Sequence, residues 1–174
     1  MNKAAYDAIE KIWKLTVKTR ALCPHAEASL IGATEYLSPS WYRARGAVYF
    51  VAHPKKLTEQ DIQELNQIGE SVNRNFIISM AAVLEEYGVV PYRNNPDRSK
   101  NGGDHAQLTK WLRNRFAHGE WQYDASDQNH VETRQLLEEL FPNGTASEPG
   151  FVTAINSILE PLKDGVLAYI SAAT

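Results

Sequence analysis

Apolar residues recur along much of this chain at intervals of three and four, the spacing that places them on one side of a helix. Near the start, Ala5, Ile9, Ile12, Trp13 and Val17 keep this rhythm. They predict an amphipathic helix ending around residues 20–24. The clearest stripe is Ile62, Leu65, Ile68, Val72, Phe76, Met80, Val83 and Tyr87, which on a regular helix continues for about seven turns. Thr58 and Asp61 have the spacing of a capping box at its start. Gly88 suits its carboxyl end, with Pro91 shortly beyond.

Residues 28–54 follow neither period cleanly. The short apolar run at 47–52 is interrupted upstream by Pro39 and Gly46, so helix and short hairpin both remain open. The stretch 92–103 is rich in Asn, Pro, Asp, Ser and Gly and reads as an exposed loop. Asp104 is placed to cap a following helix that buries Leu108, Trp111, Leu112, Phe116 and Ala117 and stops at Gly119. A further helix is expected over 130–140, ended by Pro142. The last is expected over 151–172, with Val152, Ile155, Leu159, Leu162, Val166, Tyr169 and Ile170 as its stripe and Pro161 as a point for a kink. These elements predict an all-α fold, an antiparallel bundle of four to six helices in one domain spanning 1–174.

Composition changes this picture little. The chain of 174 residues is 43% hydrophobic and 22% charged, ordinary for a globular domain. No run approaches the roughly 18 apolar residues of a membrane span. Lys3, Asp7, Glu10, Lys11, Lys14 and Lys18 interrupt the first twenty residues, unlike a secretory leader. One cysteine, Cys23, excludes an internal disulfide and a thiolate zinc cluster. The expected compartment is the cytoplasm, no membrane association is expected, and the Asn143-Gly144-Thr145 sequon reads as a turn.

Charge distribution is more informative. The whole chain carries −3, yet residues 91–120 hold Arg93, Arg98, Lys100, Lys110, Arg113 and Arg115 against Asp97, Asp104 and Glu120. That window is net positive on an acidic body, a pattern compatible with holding a phosphate backbone.

Within it lies Leu-Arg-Asn-Arg-Phe-Ala-His-Gly, residues 112–119. An Arg followed within four to six residues by His is weak on its own, and Arg20 with His25 and Arg98 with His105 share the spacing. Only Arg113 and His118 sit on an element anchored by apolar residues, the rigidity that chemistry requires. Five helical residues leave the two side chains about 140° apart. They converge if the helix loosens at His118 or if a second copy contributes across a twofold axis. Asn114, four residues before His118, shares its face and can orient the imidazole.

This segment resembles the signature of HEPN domains, in which Arg is followed by a polar residue, often Asn, and then by His. The long helix over 59–87 resembles that family's core helix, which frequently carries an acidic residue near the site. Glu85 and Glu86 are the candidates for that place, although an adjacent acidic pair is more often a solvated face. The resemblance covers about residues 58–119. It implies a homodimeric endoribonuclease that needs no metal or other cofactor, with RNA as substrate. His118, Arg113 and Asn114 would carry catalysis, and Lys110 and Arg115 would position the RNA backbone. It also implies a toxin or antiphage setting, with an antitoxin or defence-system protein as partner.

Other residues stay ordinary. Trp41, Tyr42, Tyr49 and Phe50 are expected in the core rather than stacked on bases, and His53 and His105 have no ligand spacing. No His-Glu-x-x-His, Asp cluster or glycine-rich phosphate loop is present. The alternative reading is a noncatalytic HEPN bundle that binds a protein or nucleotide.

Overall fold

The computed structural model describes residues 1–22, 31–32, 36–37, 51–52, 57–118, 124–142 and 155–173. Among them the fold is all-α, built from five helices: α1 (Lys3–Leu22), α2 (Glu59–Glu86), α3 (Gly103–Ala117), α4 (Gln128–Leu140) and α5 (Ile155–Ala172). Of the two alternatives for 28–54, the described residues carry a strand pair. β1 (Tyr36–Leu37) and β2 (Val51–Ala52) are antiparallel, with Tyr36 opposite Ala52 and Leu37 opposite Val51. Trp41, Tyr42, Tyr49, Phe50 and His53 lie outside the described residues.

The amphipathic spacing of α1 buries Ala5, Ile9, Trp13 and Val17, joined by Ala21. α2 begins where the Thr58 and Asp61 pair places it. The Thr58 N–H donates to Asp61 Oδ2 at 2.7 Å, and the Asp61 N–H donates to Thr58 Oγ1 at 3.2 Å. Its far end is set by Gly88, whose φ of 66° is the left-handed conformation that terminates helices. The buried side of α2 is not the whole predicted stripe: Ile68 is 49% exposed, while Asn73 and Ile77 are buried. The reason lies at Gly69. Its missing side chain leaves room for the fully buried Arg20, whose Nη1 would sit 1.5 Å from a Cβ there.

The chain divides into two compact units, residues 11–73 and residues 1–10 with 74–174. All the candidate site residues belong to the second, where α3 packs against both α4 and α5. The pairing of α3 with α4 is antiparallel: His105 near the start of α3 meets Phe141 just past α4, and Arg115 near its end meets Asp127 just before α4. Leu108, Leu112 and Phe116 of α3 are buried against this interior with Leu136, Leu137, Leu159, Leu162, Val166, Tyr169 and Ile170.

The start of α3 differs from expectation. Its cap is Gly102 in the left-handed conformation, with no side-chain capping bond. Asp104 lies two residues further on, within the first turn, and pairs with Arg98. A glycine is needed at 102 because a Cβ would meet the Gly165 carbonyl oxygen at 2.0 Å, and Gly165 in turn makes room for the His105 ring. α4 begins at Gln128 rather than at residue 130, since Asp127 is its cap and accepts from the Asn129 N–H at 2.8 Å. Pro161 lies inside α5, which continues to Ala172.

Candidate active site

α3 presents Arg113 toward the last turn of α2. One guanidinium nitrogen, Nη2, lies 3.3 Å from Glu85 Oε2, and the other, Nη1, donates to Asn114 Oδ1 at 2.9 Å. A third contact comes from the reversal after α2, where the guanidinium lies 5.9 Å from the centre of the Tyr92 ring. The side chains of Arg113 and Glu85 are 25% and 18% exposed. The guanidinium is therefore held in a defined place while still reaching solvent. Its fork has five N–H donors, and the two bonds above engage one on each terminal nitrogen, leaving capacity for an anionic ligand. Behind Glu85 lies a small apolar depression formed by Ala81, Leu84, Val90, Pro96 and Ala106.

His118 stands at the carboxyl cap of α3. Its φ and ψ of −93° and 2° end the helix at this residue, and among the described residues no contact joins its ring to Arg113. Its N–H donates to the Asn114 carbonyl at 3.2 Å, and the residue is exposed. Asn114 gives its side-chain oxygen to Arg113 rather than to the imidazole. Gly119, the expected stop, lies outside the described residues.

The remaining site candidates separate by geometry. Glu85 faces Arg113, whereas Glu86 is exposed. Lys110 lies on α3 and donates to the Asn94 carbonyl at 2.5 Å, tying the preceding loop to the helix. Arg115 is bridged to Asp127 at 3.6 Å with its side chain 14% exposed, which commits much of its charge to the start of α4. That corner is polar, with His130 buried beneath it. The Asp124 N–H donates to His130 Nδ1 at 3.0 Å, and His130 Nε2 lies 3.5 Å from Asp127 Oδ2. Burial raises the Asp127 carboxyl, but the Asn129 N–H, His130 and Arg115 outweigh it and hold its pKa below the ordinary value.

The loop over 92–102 is knitted into place, more so than its composition suggests. The Asp97 N–H donates to the Tyr169 hydroxyl at 3.0 Å, Asp97 accepts from Ser99, and Arg98 pairs with Asp104. Tyr92 is the member of the site that sequence reasoning missed. The available signal was an aromatic residue inside an otherwise polar turn, Pro91-Tyr92-Arg93-Asn94. His105 is packed edge-on against Phe141 at 5.8 Å, and burial pushes its pKa down against the opposing charge of Asp104.

Among the described residues, no group of three His, Cys, Asp or Glu side chains is arranged to hold a metal ion. No helix there is long and apolar enough to cross a membrane. Compared with protein-family models, with curated proteins and with solved structures, the chain finds no match. What the site offers is thus read from its own chemistry: a fixed, partly exposed guanidinium flanked by a carboxylate, an amide and an aromatic ring, on the helix that an exposed histidine terminates.

Proposed function

We propose that this protein is a metal-independent endoribonuclease of the HEPN type. The observation that carries the reading is the Glu85–Arg113–Asn114 cluster on the helix whose carboxyl cap is His118. A carboxylate from the long helix meets the motif arginine, and the motif asparagine bonds it as well. Chance Arg-to-His spacing would not require either contact.

In the reaction, His118 removes the proton of a ribose 2′ hydroxyl. The resulting oxygen attacks the adjacent phosphorus, the bond to the 5′ oxygen breaks, and that oxygen leaves protonated from water. The products are a 2′,3′ cyclic phosphate and a 5′ hydroxyl end. Arg113 neutralises the charge gathering on the phosphoryl oxygens, where a held guanidinium acts without reorganising. Glu85 and Asn114 orient that guanidinium. Lys110 adds positive potential along the RNA backbone, and Arg115, bridged to Asp127, adds little beyond it. The protein works as a homodimer in the cytoplasm, where a twofold axis brings two copies of Arg113 and His118 to one cleft. A toxin or antiphage system, with an antitoxin or defence protein as partner, is the setting.

A second reading has one observation in its favour: Glu85 already compensates the charge of Arg113. On that reading the bundle is a noncatalytic adaptor that binds protein or nucleotide through the same surface. Incubating purified protein with end-labelled RNA and with DNA of the same sequence, both in excess chelator, separates the two. Cyclic phosphate ends from RNA and intact DNA support the nuclease. Intact RNA of several classes, together with stable capture of one nucleotide or protein ligand, supports the adaptor.

A further inference from the structure

Tyr92 is the most exposed of the large hydrophobic residues described, with 67% of its surface open. The turn it stands on is nevertheless well tied. The Asn94 N–H closes a tight turn onto the Pro91 carbonyl at 2.8 Å, and the Val90 N–H bonds the Leu84 carbonyl at 3.0 Å. Val90 and Pro96 are buried on either side, and Lys110 grips the Asn94 carbonyl from α3. Arg113 meets the ring at 5.9 Å, within the reach of a cation–π contact. The fold thus fixes the backbone that carries Tyr92 and sets its ring beside the site arginine while leaving most of the residue to water, and gains little core from doing so.

We propose that Tyr92 is a stacking platform for a nucleobase of the strand whose phosphate Arg113 binds. The inference rests on the nuclease reading for its ligand. A base and the phosphate next to it belong to one nucleotide, and Tyr92 and Arg113 are adjacent in the same way. Stacking on a tyrosine tolerates any base but demands an unpaired one, so the platform selects an unpaired nucleotide at the position it holds. Tyr92 is a positioning residue that takes no part in proton transfer.

The test uses full-length protein and two short probes made uncleavable by 2′-O-methylation, oligouridine and its dihydrouridine counterpart, whose bases are not planar aromatics. Binding is read by fluorescence anisotropy over a range of salt. The wild type is expected to bind oligouridine about tenfold more tightly than the dihydrouridine probe. Tyr92→Phe keeps that preference and Tyr92→Leu loses it. Arg113→Ala lowers the salt slope by about one, whereas Tyr92→Leu leaves it unchanged. A Tyr92→Leu protein that keeps the uracil preference overturns the proposal, as does a wild type that binds neither probe. A slope lowered in Tyr92→Leu as it is in Arg113→Ala also overturns it, because the ring would then only be placing the arginine. Cleavage of unmodified RNA is followed in parallel. Lost uracil preference in Tyr92→Leu without any cyclic phosphate from the wild type leaves the platform standing and removes the nuclease, and the reverse pattern removes the platform alone.

Discussion

Arg113 makes three contacts and His118 makes none through its ring among the described residues, and the roles proposed for them differ accordingly. A general base has to be free to meet its proton, while an electrostatic stabiliser works best when already oriented. His118→Ala is therefore expected to lower cleavage by about 10²–10⁴-fold, the usual range for losing an acid–base group. Glu85→Gln is subtler, because the guanidinium keeps a partner but loses the carboxylate that aims it. It is expected to lower kcat about tenfold while KM stays level or falls, since a repulsive charge near the phosphate is gone. A rise in KM at unchanged kcat would assign Glu85 to substrate binding instead. His105 governs a separate, pH-linked property. Its folded pKa lies below the ordinary value because it is buried, so the unfolded chain binds the proton more readily. Stability is complete above about pH 6.5 and falls as pH drops toward the depressed folded value. Denaturant titrations between pH 7.5 and 5 are expected to show this loss, and His105→Gln is expected to flatten it.

At the scale of elements, close approach and capping decide where helices stop. Gly102→Ala would set a Cβ 2.0 Å from the Gly165 carbonyl oxygen in a backbone with φ of 76°. The expected cost is about 3 kcal/mol, read as a lower denaturant midpoint with an unchanged m-value. The boundaries of α2 were legible in the sequence because local rules wrote both: a reciprocal Thr58–Asp61 cap and a left-handed Gly88. The start of α3 was not. Asp104 has the right chemistry for a cap, but the packing of α3 on α5 takes Gly102 for that position and leaves Asp104 to Arg98. Ile68 misleads for a related reason, since periodicity cannot anticipate that a buried Arg20 fills the side of α2 at Gly69. Ala117 likewise turns outward at the end of α3. Of the candidate site, Arg113, Asn114 and His118 were legible as a motif, and Glu85 only as one of an adjacent pair. Tyr92 was hidden because its importance depends on a turn that brings together residues distant in sequence.

For the whole molecule, the all-α architecture follows from the helical period that runs through most of the chain. Charge follows a pattern of its own. Over 91–118 the positive window folds into the loop and helix that carry the site, where Arg98 and Arg115 are paired with Asp104 and Asp127 while Lys110 bonds only the neutral Asn94 and Asn95 oxygens. Arg113 is paired too, with Glu85, so its advantage for a phosphate is a fixed orientation rather than a free charge, and a second copy of the site would add another such cation. Sedimentation of the protein is expected to report a dimer at micromolar concentration. The central claim is tested most directly by 2′,3′ cyclic phosphate formation on labelled RNA in excess chelator, comparing the wild type with Arg113→Ala and His118→Ala proteins of matched thermal stability. The account predicts cyclic ends from the wild type and a loss of at least about 10²-fold in each variant. Equal cyclic-phosphate yields from all three proteins would contradict it.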